Sequence, residues 1–205
     1  MNAIRTTFLS CLAALFFAGT LTAQVAFDES VSGDISDDPS NPTPVTFSPG
    51  SNLIVGELRN DAADSDVRDF ITFNIGPGQT LVAINQLSYA DAVTGGTANT
   101  GFNAIINGSI SFDPAGGMIG NFLGGNHFNS AENGTDILPG LSGAPGIPTI
   151  GFTAPLGPGA YTYHVQQTSS NPSTYELDFV VVPEPGSVML TLLALSGVFL
   201  VRRRR

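Results

Sequence analysis

Asp69-Phe70-Ile71-Thr72-Phe73-Asn74-Ile75 is the stretch that decides the fold class. Ile71, Phe73 and Ile75 fall on one side of an extended chain, Thr72 and Asn74 on the other. Such period-two alternation marks a strand with one buried and one wet face. Gly76-Pro77-Gly78 then turns the chain into a second apolar run, 81–89, so the two runs read as a hairpin. Farther on, Tyr161, Tyr163 and Val165 alternate with Thr162, His164 and Gln166, which puts His164 on the surface. Tyr175, Leu177, Phe179 and Val181 alternate with Glu176 and Asp178. Shorter runs at 45–47, 52–58, 104–112 and 149–154 bring the total to about eight strands. The fold class expected is all-β, an antiparallel β-sandwich or jelly roll.

Composition agrees. Among 205 residues there are 24 glycines and 14 prolines, a load that weakens helix interiors and suits turns. Cys11 is the single cysteine, so neither an intrachain disulfide nor a cysteine-based zinc site can form. All seven basic residues are arginines, set against 17 acids. A body so poor in cations does not bind nucleic acid, where phosphates must be neutralised.

The two ends read as addresses. Residues 1–23 have the plan of a secretory signal peptide: Arg5, an apolar run over 8–18, and a small-residue stretch ending at a cut between Ala23 and Gln24. That plan implies the Sec machinery and signal peptidase as partners. At the other end, Pro183-Glu184-Pro185 precedes an apolar run of 15 residues, 187–201, and then Arg202, Arg203, Arg204 and Arg205. As a helix the run reaches roughly 22 Å, short of a hydrocarbon core of roughly 30 Å. Four arginines behind an apolar helix act as a stop-transfer clamp and keep that end cytoplasmic. The part between 24 and 182 is therefore expected outside the cytoplasm, held at the membrane by a single transmembrane helix.

This tripartite tail, Pro183-Glu184-Pro185 with helix and arginine cluster, resembles the PEP-CTERM sorting signal of bacterial envelope proteins. The resemblance implies an exosortase as processing partner, a helix that anchors the chain transiently, and a bacterium that often makes exopolysaccharide. A second resemblance lies in the body. Asp66-Val67-Arg68-Asp69-Phe70-Ile71-Thr72-Phe73, Gly78-Gln79-Thr80-Leu81, Gly159-Ala160-Tyr161-Thr162-Tyr163 and Tyr175-Glu176-Leu177 are similar to pre-peptidase C-terminal domains. Those are small β-sandwiches appended to secreted enzymes and surface proteins, and the likeness bears on the fold rather than on a ligand. The resulting organisation is a signal peptide (1–23), a loose Asp/Ser/Pro-rich arm (24–44), a β-sandwich ectodomain (45–182) with a Gly-rich insertion (116–146), and a sorting signal (183–205).

Between 24 and 182, Arg59 and Arg68 face 16 carboxylates, a net charge of −14. Asp61, Asp64, Asp66 and Asp69 crowd into nine residues, a density that suits Ca²⁺ and its six to eight hard oxygens. The alternative is a solvated acidic turn with Arg68 offsetting the repulsion. A second group, Asp34, Asp37 and Asp38, reads as a plain loop beside Pro39. Catalytic constellations are weak. Gly140-Leu141-Ser142-Gly143-Ala144 misses the last glycine of a nucleophile elbow, and two histidines, His127 and His164, cannot make a three-histidine metal site. The reading is a non-catalytic structural or adhesive envelope protein, with exopolysaccharide as a partner. Its alternative is a secreted carbohydrate-active or other hydrolytic enzyme that uses the Gly-rich insertion and His127.

Overall fold

The structure, a computed structural model, describes residues 23–59, 66–92, 100–108, 122–142, 150–168 and 172–184. The segments read as signal peptide and sorting helix lie outside these residues, apart from Ala23, Pro183 and Glu184. Among the described residues no helix is long and apolar enough to cross a membrane.

Among the described residues ten strands form two five-stranded sheets. In the first, β1 (Gln24–Asp28), β3 (Gly50–Leu58), β10 (Ser173–Pro183), β5 (Gln79–Asp91) and β8 (Thr135–Asp136) lie side by side in that order. In the second the order is β2 (Thr43–Pro44), β4 (Arg68–Ile75), β9 (Gly159–Gln167), β6 (Gly101–Asn107), β7 (Phe122–Phe128). One core lies between them. Ile71, Phe73, Tyr163 and Val165 of the second sheet join Ile54, Leu177, Phe179 and Val181 of the first. Phe179 meets Phe73 and Tyr163 edge to face, at ring separations of 5.6 and 5.2 Å. Each such side chain contributes about 1.5–3 kcal/mol of burial, so these rings weld the sheets together.

The all-β expectation holds, with four corrections. Both sheets are mixed, because β1 runs parallel to β3 and β2 parallel to β4. These edge strands come from the stretch expected to be a loose arm. It is built into both sheets, with Ile35 fully buried between them. Polar composition hid this, since a strand held at an edge needs few apolar side chains. The Gly76-Pro77-Gly78 turn closes no hairpin: β4 pairs with β2 and β9, whereas β5 pairs with β10 and β8. The turn carries the chain from one sheet to the other. His164 is buried rather than exposed. Its ring stacks on Phe70 at 4.4 Å, within a second apolar cluster of Phe70, Phe102, Ala104, Ile106 and Phe122. That cluster covers the face of the second sheet opposite the main core, so alternation there separates two interiors instead of inside from water.

The Gly-rich insertion also contains order that its sequence conceals. Strand β7 holds Gly124 and Gly125 in its middle, where a Cβ would stand 1.9 Å from the Leu141 carbonyl oxygen and 2.7 Å from that of Asn103. Glycine is required here for close backbone approach, at the expense of the apolar alternation that announces a strand. A short helix, α2 (Leu138–Leu141), packs Leu138 and Leu141 into the core behind it.

Candidate acidic site

Alternation along β4 turns Asp69 to the same inward side as Ile71 and Phe73, at the end of the sheet where the strand begins. Only 1% of Asp69 is exposed. On the facing sheet, Tyr175 shares the inward side of β10 with Leu177 and Phe179. Its hydroxyl donates to Asp69 Oδ2 at 2.6 Å, a bond that spans the two sheets. Tyr175 lies opposite Gly56 of β3, and a Cβ on Gly56 would fall 2.3 Å from the tyrosine ring. The ring needs that missing side chain to lie across β3.

Asp69 Oδ1 is buried and makes no hydrogen bond. Its carboxylate belongs to a group of three, with Glu29 and Asp66, in which one oxygen of each lies within 4.8 Å of the others. Glu29 comes from the N-terminal segment and opens a four-residue helix, α1 (Glu29–Ser32), capped by Asp28. Its Oε1 accepts from the Ile35 N–H at 2.7 Å and its Oε2 from the Glu57 N–H at 2.5 Å. Those two bonds stitch the N-terminal segment to β3. Asp66 precedes β4, where its carbonyl oxygen accepts from the Arg59 N–H at 2.5 Å.

The electrostatics follow from burial and crowding. Burial, reinforced by the Glu29 charge, holds the Asp69 carboxyl well above the usual carboxylate range, against the lowering effect of the Tyr175 hydrogen bond. Burial likewise raises Glu29, with Asp34 and Glu57 adding to the rise and its backbone bonds opposing it. Burial and Asp69 together push the Tyr175 hydroxyl up, so it remains a donor. Outside the group opens a cleft of about 390 Å³, lined among others by Asp28, Glu29, Asp34, Glu57, Arg59 and Asp66. Arg59 engages Glu57 at 2.8 Å.

Of the four aspartates expected to hold Ca²⁺, the structure brings Asp66 and Asp69 together, while Asp61 and Asp64 lie outside the described residues. Glu29 was missed. It is 37 residues before Asp66, and only the parallel pairing of β1 with β3 brings it near. Arg68 follows the opposite parity from Asp69 along β4 and acts on His164 instead. Of the residues expected to form a sorting motif, Pro183 ends β10, Glu184 donates its N–H to the Gly78 carbonyl at 2.7 Å, and Pro185 lies outside the described residues. Arg202, Arg203, Arg204 and Arg205 lie outside them too. At the expected cut, Ala23 precedes β1 and Gln24 opens it, with its amide donating to Asn52 Oδ1 at 2.8 Å.

A smaller cleft of about 150 Å³ touches the insertion and includes His127, Glu132 and Asp136. Its acids are committed to backbone. Asp136 Oδ1 accepts from the Ile84 and Leu138 N–H groups, and Glu132 closes a capping box on Asn129. Ser142 donates to the Pro139 carbonyl at 2.8 Å, as a residue ending a helix does. His127 is exposed, its Nδ1 3.3 Å from the Gly101 carbonyl. Nothing in this set pairs a nucleophile with a base. Comparison of the chain with protein-family models and with curated proteins gives no match.

Proposed function

We propose that the chain is an exported bacterial envelope protein whose β-sandwich body works outside the cytoplasm in a structural or adhesive, non-catalytic role. In this reading Sec and signal peptidase deliver it, and an exosortase processes the tail that holds it at the membrane. One observation carries the reading: among the described residues the first strand begins at Gln24 and the last ends at Pro183, at the borders the two address segments have in the sequence. Both borders also lie at one end of the body, since Gln24 pairs with Asn52 and Val181 with Gly50. A chain entering and leaving at one end suits a body standing on a membrane. The acidic group sits at the opposite end, about 26 Å along β10 from Pro183 at 3.3 Å per residue. Acids at the far pole suit contact with anionic polysaccharide through shared divalent cations.

The test is topological. The full chain is expressed in a bacterium with a tag after Arg205, and external protease is added to spheroplasts. Digestion of the body with survival of the tag is expected. Protection of both, with the full-length product in the cytosolic fraction, overturns the reading. A hydrolase working in the insertion is the second reading, and loss of glycan cleavage on replacing His127 or Asp136 would establish it.

A further inference from the structure

We propose that Glu29, Asp66 and Asp69 bind one divalent cation, Ca²⁺ in preference to Mg²⁺, and that the ion clamps the N-terminal segment to the two-sheet body. The inference uses the body's geometry alone and stands whether or not the chain is exported.

Crowded carboxylates alone would not carry this, and the deciding feature is Asp69 Oδ1. An oxygen with no accessible surface and no donor is costly to leave bare, and its carboxylate brings an oxygen within 4.8 Å of oxygens of the other two acids. Tyr175 fixes the carboxylate through Oδ2, which leaves Oδ1 as the free ligand atom. Glu29 is fixed by two backbone N–H groups. Two of the three ligands are thus positioned before any ion arrives. The donor set is entirely oxygen, the choice of a hard cation. Three carboxylates fall short of the six to eight oxygens that Ca²⁺ takes, and the cleft beside Glu29 and Asp66 admits water for the rest. Ligands gathered from separate chain segments give irregular geometry, which Ca²⁺ tolerates and Mg²⁺ does not. Because Glu29 belongs to the N-terminal segment while Asp66 precedes β4 and Asp69 lies in it, an ion shared among them ties the segment down.

Ca²⁺ alone, titrated into the full chain in detergent by calorimetry, tests the site, with Mg²⁺ as the second arm. We expect one Ca²⁺ per chain and at least tenfold weaker Mg²⁺ binding. At a hundredfold excess over Kd, Tm should rise by about 5–10 °C. E29Q and D69N should each weaken Ca²⁺ at least tenfold, while Asp37→Asn, outside the group, should leave it unchanged. Should E29Q or D69N fail to fold, Tyr175→Phe keeps the test open. It retains every carboxylate but removes a sensitiser next to the ion, so Tb³⁺ emission excited through tyrosine should fall while Ca²⁺ still competes for the site. Absence of saturable binding up to about 10 mM, or binding indifferent to E29Q and D69N, overturns the site. Equal rates of proteolysis at 24–36 in Ca²⁺ and in chelator overturn the clamp.

Discussion

Asp69 and Asp178 are both carboxylates withdrawn from water, one in each sheet, and they meet opposite fates. Asp178 accepts from Ser51 Oγ at 2.5 Å, from the Asn52 N–H at 3.0 Å and from Asn85 Nδ2 at 3.4 Å. Its charge is answered by donors of its own sheet. Among the described residues Asp69 accepts from one donor, Tyr175, and lies beside the carboxylates of Glu29 and Asp66. A buried carboxylate ringed by donors holds structure together, whereas one ringed by carboxylates is a vacancy for a proton or a cation.

Four measurements put that contrast to the test. Gly56→Ala drives a methyl into the Tyr175 ring and dislodges the donor that holds Asp69. Urea denaturation should show a loss of about 3 kcal/mol, and a loss below 1 would mean that the ring has another place to go. Asp178→Ala strands three donors and should cost about 2–3 kcal/mol, equally in Ca²⁺ and in chelator. Acid separates both carboxylates from the buried histidine. Burial, with Arg68 adding to it, lowers His164 to about 3, so the folded protein stays neutral there while the unfolded chain takes up a proton near 6.5. Protons therefore favour unfolding below pH 6.5, and stability should fall by about 2 kcal/mol between pH 6.5 and 5. His164→Phe should flatten that slope; an unchanged slope would assign it to other groups. The smallest effect belongs to Asp69→Asn in chelator, where removing one charge from a crowded group should change stability by less than about 1 kcal/mol, toward gain. In Ca²⁺ the same variant should lose the stabilisation that the ion gives the parent chain.

Much of this was legible in the sequence through parity. Asp69 shares its with Ile71, Phe73 and Ile75, and Tyr175 shares its with Leu177, Phe179 and Val181. Alternation alone therefore turns both inward. That they meet is a fact of sheet packing, which no local pattern encodes. Glu29 was illegible for the same reason, since its place depends on β1 lying parallel to β3. His164 misled because a polar residue at an alternating position reads as wet, whereas the second sheet has apolar side chains on both faces. The Gly76-Pro77-Gly78 turn misled because a tight turn fixes a reversal of direction without fixing which sheet the chain joins next. Strand β7 was hidden by its glycines, whose value lies in the side chains they lack.

One detail at the end of β10 constrains the tail processing proposed above. Through Val181 that strand is hydrogen-bonded on both sides, and Val182, Pro183 and the Glu184 N–H remain tied to the opening of β5 and the turn before it. Peptidases grip their substrates as slack, extended chain, which a seam stitched this far does not offer. A cut in the tail must therefore fall beyond Glu184, or wait until the seam is unpicked. In the proposed processing, a body severed just past that seam would depart with its closing strand whole.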